Sequence, residues 1–122
     1  MPGLDRDTPI PTEITLDRTR KLLVLDYGGS RHELTFEYLR VMSPSAEVRG
    51  HGPGQEVLQV GKRNVEVVDL EPVGMYAIRP RFSDGHDTGI YSWDYLHRLI
   101  VEHDTAWADY LRRLEAAGAS RD

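Results

Sequence analysis

The stretch Phe82-Ser83-Asp84-Gly85-His86-Asp87-Thr88-Gly89-Ile90-Tyr91-Ser92-Trp93 is where an alternating strand pattern gives way to a helical one. Ser83 to His86 has the composition of a reversal. The Asp84 carboxylate is suited to hydrogen-bonding nearby backbone N–H groups, and Gly85 can take the left-handed region at no steric cost. Thr88 to Tyr91 then reads as a short strand. Ser92 is a good N-cap and Asp94 complements the dipole of the helix that follows. A reversal, a strand and a helix start in one short span place the chain in the α+β class.

Upstream of this stretch, Gly74 to Phe82 alternates so that Tyr76, Ile78, Pro80 and Phe82 share a face. Pro80 cannot donate a ladder hydrogen bond, which points to an edge or a bulge. Val65 to Val73 reads as a strand ending at Pro72, with Val65, Val67 and Asp69 on one side. Residues 43 to 55 form a long Gly- and Pro-rich loop with Gly50-His51-Gly52-Pro53-Gly54 at its tip, and loops of that kind are often functional. Phe36 to Met42 is a short helix stopped by Ser43-Pro44. Before it, Glu13 to Asp17 alternates, Asp17 to Arg20 turns, and Lys21 to Tyr27 is apolar enough for an interior strand. Gly28-Gly29 supplies a second reversal, into Arg31 to Phe36 with His32, Leu34 and Phe36 on one face.

Downstream, Trp93, Leu96, Ile100, His103, Trp107, Leu111 and Leu114 form one apolar helical stripe. Asp104-Thr105 offers a second N-cap, so the pattern fits one helix or a pair over 93 to 102 and 105 to 117, with Gly118 as the stop. The expectation is an α+β domain over 12–118, built of small antiparallel sheets with five to six strands, one short helix and a C-terminal helix or helix pair. A loose arm over 1–11 and a tail over 119–122 flank it.

A length of 122 residues with 39% apolar content suits one folded domain. The net charge of -5 argues against general affinity for nucleic acid or anionic lipid, because phosphate binding depends on an excess of Lys and Arg. Without cysteine there is no disulfide framework, thiol nucleophile or thiolate metal ligand. No apolar run approaches the roughly 18 residues of a membrane span. The opening Met-Pro-Gly-Leu-Asp-Arg-Asp lacks the basic and apolar regions of a signal peptide, so cytoplasm is the expected compartment.

Asp84 and His86, two apart, would face the same way on an extended segment. With Glu47 and His51 of the Gly-Pro loop they form a candidate set of imidazole and carboxylate ligands for iron or zinc. The competing reading is structural: Asp84 pins the turn, Tyr91 and Trp93 fill the core, and Gly89 avoids a clash. Asp87 directly follows His86, so the His-x-Asp/Glu element of a non-haem iron oxygenase is absent. Gly-x-Ser-x-Gly and the Gly-Lys-Ser/Thr ending of a phosphate loop are also missing. Arg40, Arg79 and Arg81 make a candidate anion patch; His103 is expected half-buried, and His32 and His97 have no assigned partner.

Leu39-Arg40, Ser43-Pro44-Ser45-Ala46-Glu47-Val48, Val73-Gly74-Met75-Tyr76-Ala77 and the run from Phe82 to Leu96 together resemble the gamma-butyrobetaine hydroxylase-like N-terminal domain family. The likeness runs from about Pro11 to Leu99 and is closer to the stand-alone bacterial members. In the hydroxylases such a domain precedes a 2-oxoglutarate- and iron-dependent catalytic domain, and three cysteines after the Leu-Arg pair bind zinc with the histidine of Asp-Gly-His. Here those cysteine positions fall on Ser43, Ser45 and Val48, and only His86 matches. The resemblance therefore implies the fold without the family's zinc or oxygenase activity: no cofactor is expected, iron or zinc being the alternative. Similar domains also occur fused to Mrp-type P-loop ATPases that act as iron–sulfur scaffolds, which implies an accessory docking role in iron–sulfur protein maturation. The combined expectation is a non-catalytic module that binds a partner protein or a small ligand through Arg40, His51, Asp84, His86, Tyr91 and Trp93.

Overall fold

The computed structural model describes residues 8–50 and 55–122. Strands β1 (Glu13–Asp17), β2 (Leu22–Asp26) and β3 (Arg31–Thr35) form one antiparallel sheet in sequential order. Gly28 and Gly29, with φ of 70° and 105°, make the reversal between β2 and β3 that an L side chain would strain. Leu23, Val24 and Leu25 are all buried, as suits the central strand. Thr35 then ends β3 and caps α1 (Phe36–Val41) by accepting from the Tyr38 N–H at 3.0 Å, so the chain passes from strand to helix with no loop. Phe36 accordingly opens the helix. All six residues of α1 are buried, including Glu37 and Arg40.

The second sheet is β4 (Val67–Val73), β5 (Ala77–Phe82) and β6 (Tyr91–Ser92), again antiparallel in sequential order. A register shift between Val67 and Asp69 turns Asp69 off the face that Val65 and Val67 bury, which the alternation did not reveal. Tyr76 likewise leaves the face of Ile78, Pro80 and Phe82, because Gly74 to Tyr76 is a turn and β5 begins at Ala77. β6 pairs only with Ala77 and Ile78, so Pro80 stands where β5 has no β6 neighbour. One apolar core joins Leu23, Leu25 and Leu34 of the first sheet to Ile78, Phe82 and Tyr91 of the second, with Leu39 of α1 between them.

Three further expectations change. The loop over 43–55 contains a short helix, α2 (Ala46–Arg49), capped by Ser45 Oγ on the Glu47 N–H. The strand expected at Thr88 to Tyr91 shrinks to Tyr91–Ser92, since residues 86–90 lie against the 43–45 segment instead of along β5. The C-terminal stripe is carried by two helices, α3 (Trp93–Val101) and α4 (His103–Ala116), and α4 starts from Glu102, whose side chain makes no capping bond, not from Asp104-Thr105. The break at Glu102 shifts the phase of the stripe: Leu99, Tyr110 and Leu114 are buried while Leu111 is exposed. Gly118 (φ 64°) closes α4, with its N–H on Glu115 O and the Ala119 N–H on Leu114 O. No helix among the described residues is long and apolar enough to cross a membrane.

Candidate functional site

The 83–86 turn is built as its residues dictate. Gly85 has φ of 92°, and Asp84 Oδ1 accepts from the His86 N–H at 3.1 Å. Because the backbone turns here, Asp84 and His86 diverge and do not share a direction. Asp84 Oδ2 accepts from Arg40 Nε at 2.9 Å and from Lys62 Nζ at 2.6 Å, and Arg40 also reaches Gln59 Oε1 at 3.0 Å. Burial alone would raise the Asp84 pKa. The Lys62, His86 N–H and Arg40 hydrogen bonds, with the Arg40 charge, outweigh it and bring the carboxyl down to about 2.

His86 turns inward, its side chain 3% exposed. Nε2 lies 2.8 Å from Ser43 Oγ and Nδ1 lies 3.3 Å from Glu47 Oε2. Ser43 Oγ also accepts from the Ser45 N–H at 3.2 Å, and Ser45 Oγ meets Thr88 Oγ1 at 2.8 Å. Desolvation, with help from the Arg40 charge, lowers the His86 pKa against the opposing pull of Glu47 and Asp84. The neutral imidazole is therefore favoured inside this network.

Glu47, His86 and Ser43 repeat the carboxylate–imidazole–hydroxyl connectivity of a hydrolase, so access decides what they can do. Ser43 is fully buried, and a Cβ added at Gly89 would stand 2.5 Å from its Oγ. No room remains above that hydroxyl for a substrate carbonyl. The positions at which the resemblance implies cysteines thus do come together in part: Ser43 touches His86, Ser45 touches Ser43, and Val48 is buried in α2. One imidazole, two neutral hydroxyls and an aliphatic side chain do not suit zinc, which wants thiolate, imidazole or carboxylate donors. Instead, Ser43 Oγ links to the histidine and to the Ser45 N–H, and Ser45 Oγ to Thr88 Oγ1.

Tyr91 is buried with its hydroxyl donating to Leu39 O, and burial pushes that phenol well up. The Trp93 indole N–H donates to Met75 O at 2.8 Å and its backbone N–H to Tyr76 O at 3.1 Å. Arg40, His86, Tyr91 and Trp93 are therefore interior groups, not a contact surface. His51 lies outside the described residues. Of the set Glu47, His51, Asp84 and His86, Glu47 meets His86, while Asp84 is turned toward two cations. Among the described residues no group of three His, Asp or Glu side chains is placed to hold a metal ion.

The exposed half of the segment is its rim. Ser83, Asp87, Thr88 and Ile90 face outward, and the Glu47 side chain beside them is 65% exposed. The anion patch does not form, because Arg40 is buried on Asp84, Arg79 pairs with Glu71 at 2.7 Å, and Arg81 lies 3.6 Å from Asp69. His32 and His97 both set their rings edge-on to Tyr27, and His103 does so to Tyr38. His103 is half-buried, as its place on the stripe implies. Lys62, Gln59 and Thr88 are parts of the site that sequence reasoning missed. Nothing local marks Lys62 and Gln59, whereas the two serines at cysteine positions were a usable signal for the His86 network.

A family described as gamma-butyrobetaine hydroxylase-like, N-terminal, matches residues 14–97. Among solved structures, one protein determined by NMR in solution is 51% identical, with a TM-score of 0.82 over 94% of this chain and 91% of the other. A second NMR structure is 46% identical, with a TM-score of 0.80 over 94% and 86%. A crystal structure from Acidithiobacillus ferrooxidans, of a protein with unknown function assigned to the DUF971 family, is 40% identical, with a TM-score of 0.62 over 79% and 97%. No curated protein matches the chain.

Proposed function

We propose that this chain, which belongs to the gamma-butyrobetaine hydroxylase-like N-terminal family, is a non-catalytic docking module. It presents the rim of the 83–90 turn, with Glu47 beside it, to a partner protein or a small ligand. The observation that supports this reading is the division of one segment into two halves. His86, Gly89 and Tyr91 are buried and satisfied within the chain, while Asp87 and Ile90 face outward and the exposed Thr88 ties this rim to the frame through Ser45. A frame holding its polar groups in closed hydrogen bonds supplies a rigid platform and offers no free base or nucleophile. In this reading the module works in the cytoplasm without a resident metal. Any part in iron–sulfur protein maturation is docking, because a chain without cysteine has no thiolate for a cluster.

The test compares the wild-type chain with an Asp87→Lys, Ile90→Asp variant as bait in native cytoplasm, after circular dichroism shows the same fold. Loss of a specific partner in the rim variant supports the reading, and equal recovery by both baits removes it. Elemental analysis of the untagged protein checks the rival. Stoichiometric iron or zinc, abolished by His86→Ala, would replace docking with metal binding.

A further inference from the structure

A cavity of about 170 Å³ lies where the β1–β2 reversal, the start of α1, the 63–65 segment and residue 121 meet. Four cations, Arg20, Lys21, Arg63 and Arg121, line it against one carboxylate, Glu37, in a chain whose net charge is -5. The three guanidiniums are held by carboxylates without being exhausted by them. Arg20 reaches Glu33 at 3.1 Å, Arg63 gives its Nε to Asp122 at 2.5 Å, and Arg121 gives Glu37 its Nε and one terminal nitrogen. A guanidinium carries five N–H donors, so each pair fixes the orientation of the fork and leaves terminal N–H groups to donate. The Thr35 hydroxyl, which accepts from the Tyr38 N–H at 3.0 Å, keeps its own proton to give.

Lys21 supplies an independent observation. Its φ is 56°, the one positive value at a residue other than glycine among the described residues. An L side chain is disfavoured in that region, where glycine would fit without strain. The Phe36 N–H, on Lys21 O at 3.0 Å, holds the corner in place. Among the described residues the Lys21 ammonium makes no ion pair and no hydrogen bond. A strained residue thus brings an unneutralised charge to the cavity wall, and no contact within the chain accounts for a lysine there. Strain of this kind gathers at ligand clamps.

Fixed forks and a full positive charge, converging from different elements, suit an oxyanion with acceptors on several sides: arginine matches phosphate in two-pronged fashion and lysine serves as a point charge. We propose that this cavity binds a phosphate group, free or as a small phosphomonoester, with Lys21 as the charge that the anion neutralises and Arg20, Arg63, Arg121 and Thr35 as donors. Glu37 stays paired with Arg121, and residues 119–122 keep their place. The site uses none of the rim residues, so it goes beyond the docking reading and its test leaves the rim intact.

The experiment titrates the full chain with inorganic phosphate and with glycerol phosphate, sodium chloride holding the ionic strength constant. Heteronuclear NMR follows the amides of Lys21, Thr35 and Arg63. Saturable shifts with a Kd of about 1 mM or tighter are expected for at least one probe, and the tighter of the two shows which source fills the site. Lys21→Gly relieves the strain, so it should keep or raise the thermal midpoint while weakening binding about tenfold or more. Lys21→Gln, which keeps the length of the side chain and drops its charge, should weaken binding as much. No saturation with either probe overturns the proposal. So does a Lys21→Gly or Lys21→Gln chain that binds as tightly as the wild type.

Discussion

Helix α1 buries an arginine and a glutamate one turn apart, and the two are neutralised in different ways. Arg40 meets Asp84, a carboxylate that Lys62 and the His86 N–H also hold, and Gln59 gives Arg40 a second acceptor. Among the described residues Arg121 is the one cation that Glu37 meets, with Trp107 behind the guanidinium. The first arrangement is redundant and the second is not. A buried charge that loses its only counter-ion costs far more than one that loses one partner of several. The contrast also follows the chain: Arg40, Asp84 and Lys62 lie inside the family match over residues 14–97, whereas Arg121 lies beyond it.

The strongest way to break this comparison is Arg121→Ala. It strands the buried Glu37 carboxylate and should lower stability by about 3 kcal/mol, with a fall in thermal midpoint on the order of 10 °C by calorimetry. Arg40→Ala should cost less, about 2 kcal/mol, because Lys62 still holds Asp84. Equal losses in urea denaturation would refute the claim of redundancy. A double-mutant cycle across Glu37 and Arg121 should return a larger coupling energy than one across Arg40 and Asp84.

Gly89→Ala tests the neighbouring frame. A methyl group there meets Ser43 Oγ at 2.5 Å and the Tyr91 ring at 3.1 Å, so destabilisation of about 1–2 kcal/mol is expected without loss of fold. Unchanged stability would mean that the 43–45 segment can move away from the turn.

A last pair of tests varies pH. The His86 pKa is lowered below its ordinary 6.5, so the unfolded chain binds the proton more readily and stability should decline as pH drops below that value. Asp84 contributes stability above pH 3.8 that is lost as pH falls toward about 2. Urea midpoints measured from pH 7.5 to pH 2 should show both declines. His86→Gln should remove the upper one and Asp84→Asn the lower. A midpoint flat between pH 7 and 5 in the wild type would show that His86 is not desolvated.

Much of the fold is legible because it is local. Gly28-Gly29 can only be a reversal with positive φ, Ser92 caps α3 as its position implies, and the Asp84-Gly85 turn forms with the carboxylate on the His86 N–H. The elements that escaped are those whose phase or length depends on neighbours. The α2 turn is too short to show periodicity, Leu111 loses its place on the stripe through the break at Glu102, and Asp69 leaves its face through a bulge. Of the candidate site, the resemblance at Ser43, Ser45 and His86 pointed to groups that do meet. Arg40, His86, Tyr91 and Trp93, expected at a contact surface, are buried instead, since a spacing of residues says nothing about which side of a turn faces the core.

By itself the sequence determined the order of the strands, the place of α1 and of the C-terminal helical stripe, and the positions of the reversals, because backbone preference and apolar periodicity act between near neighbours. Only the tertiary structure decided that Glu37 receives Arg121, 84 residues later, and that Arg40, Asp84, Lys62 and Gln59 form one network. The physical reason is that a charge becomes worth pairing only once burial has removed its water. Which charges are buried is fixed when the two sheets and α1 close on a common core.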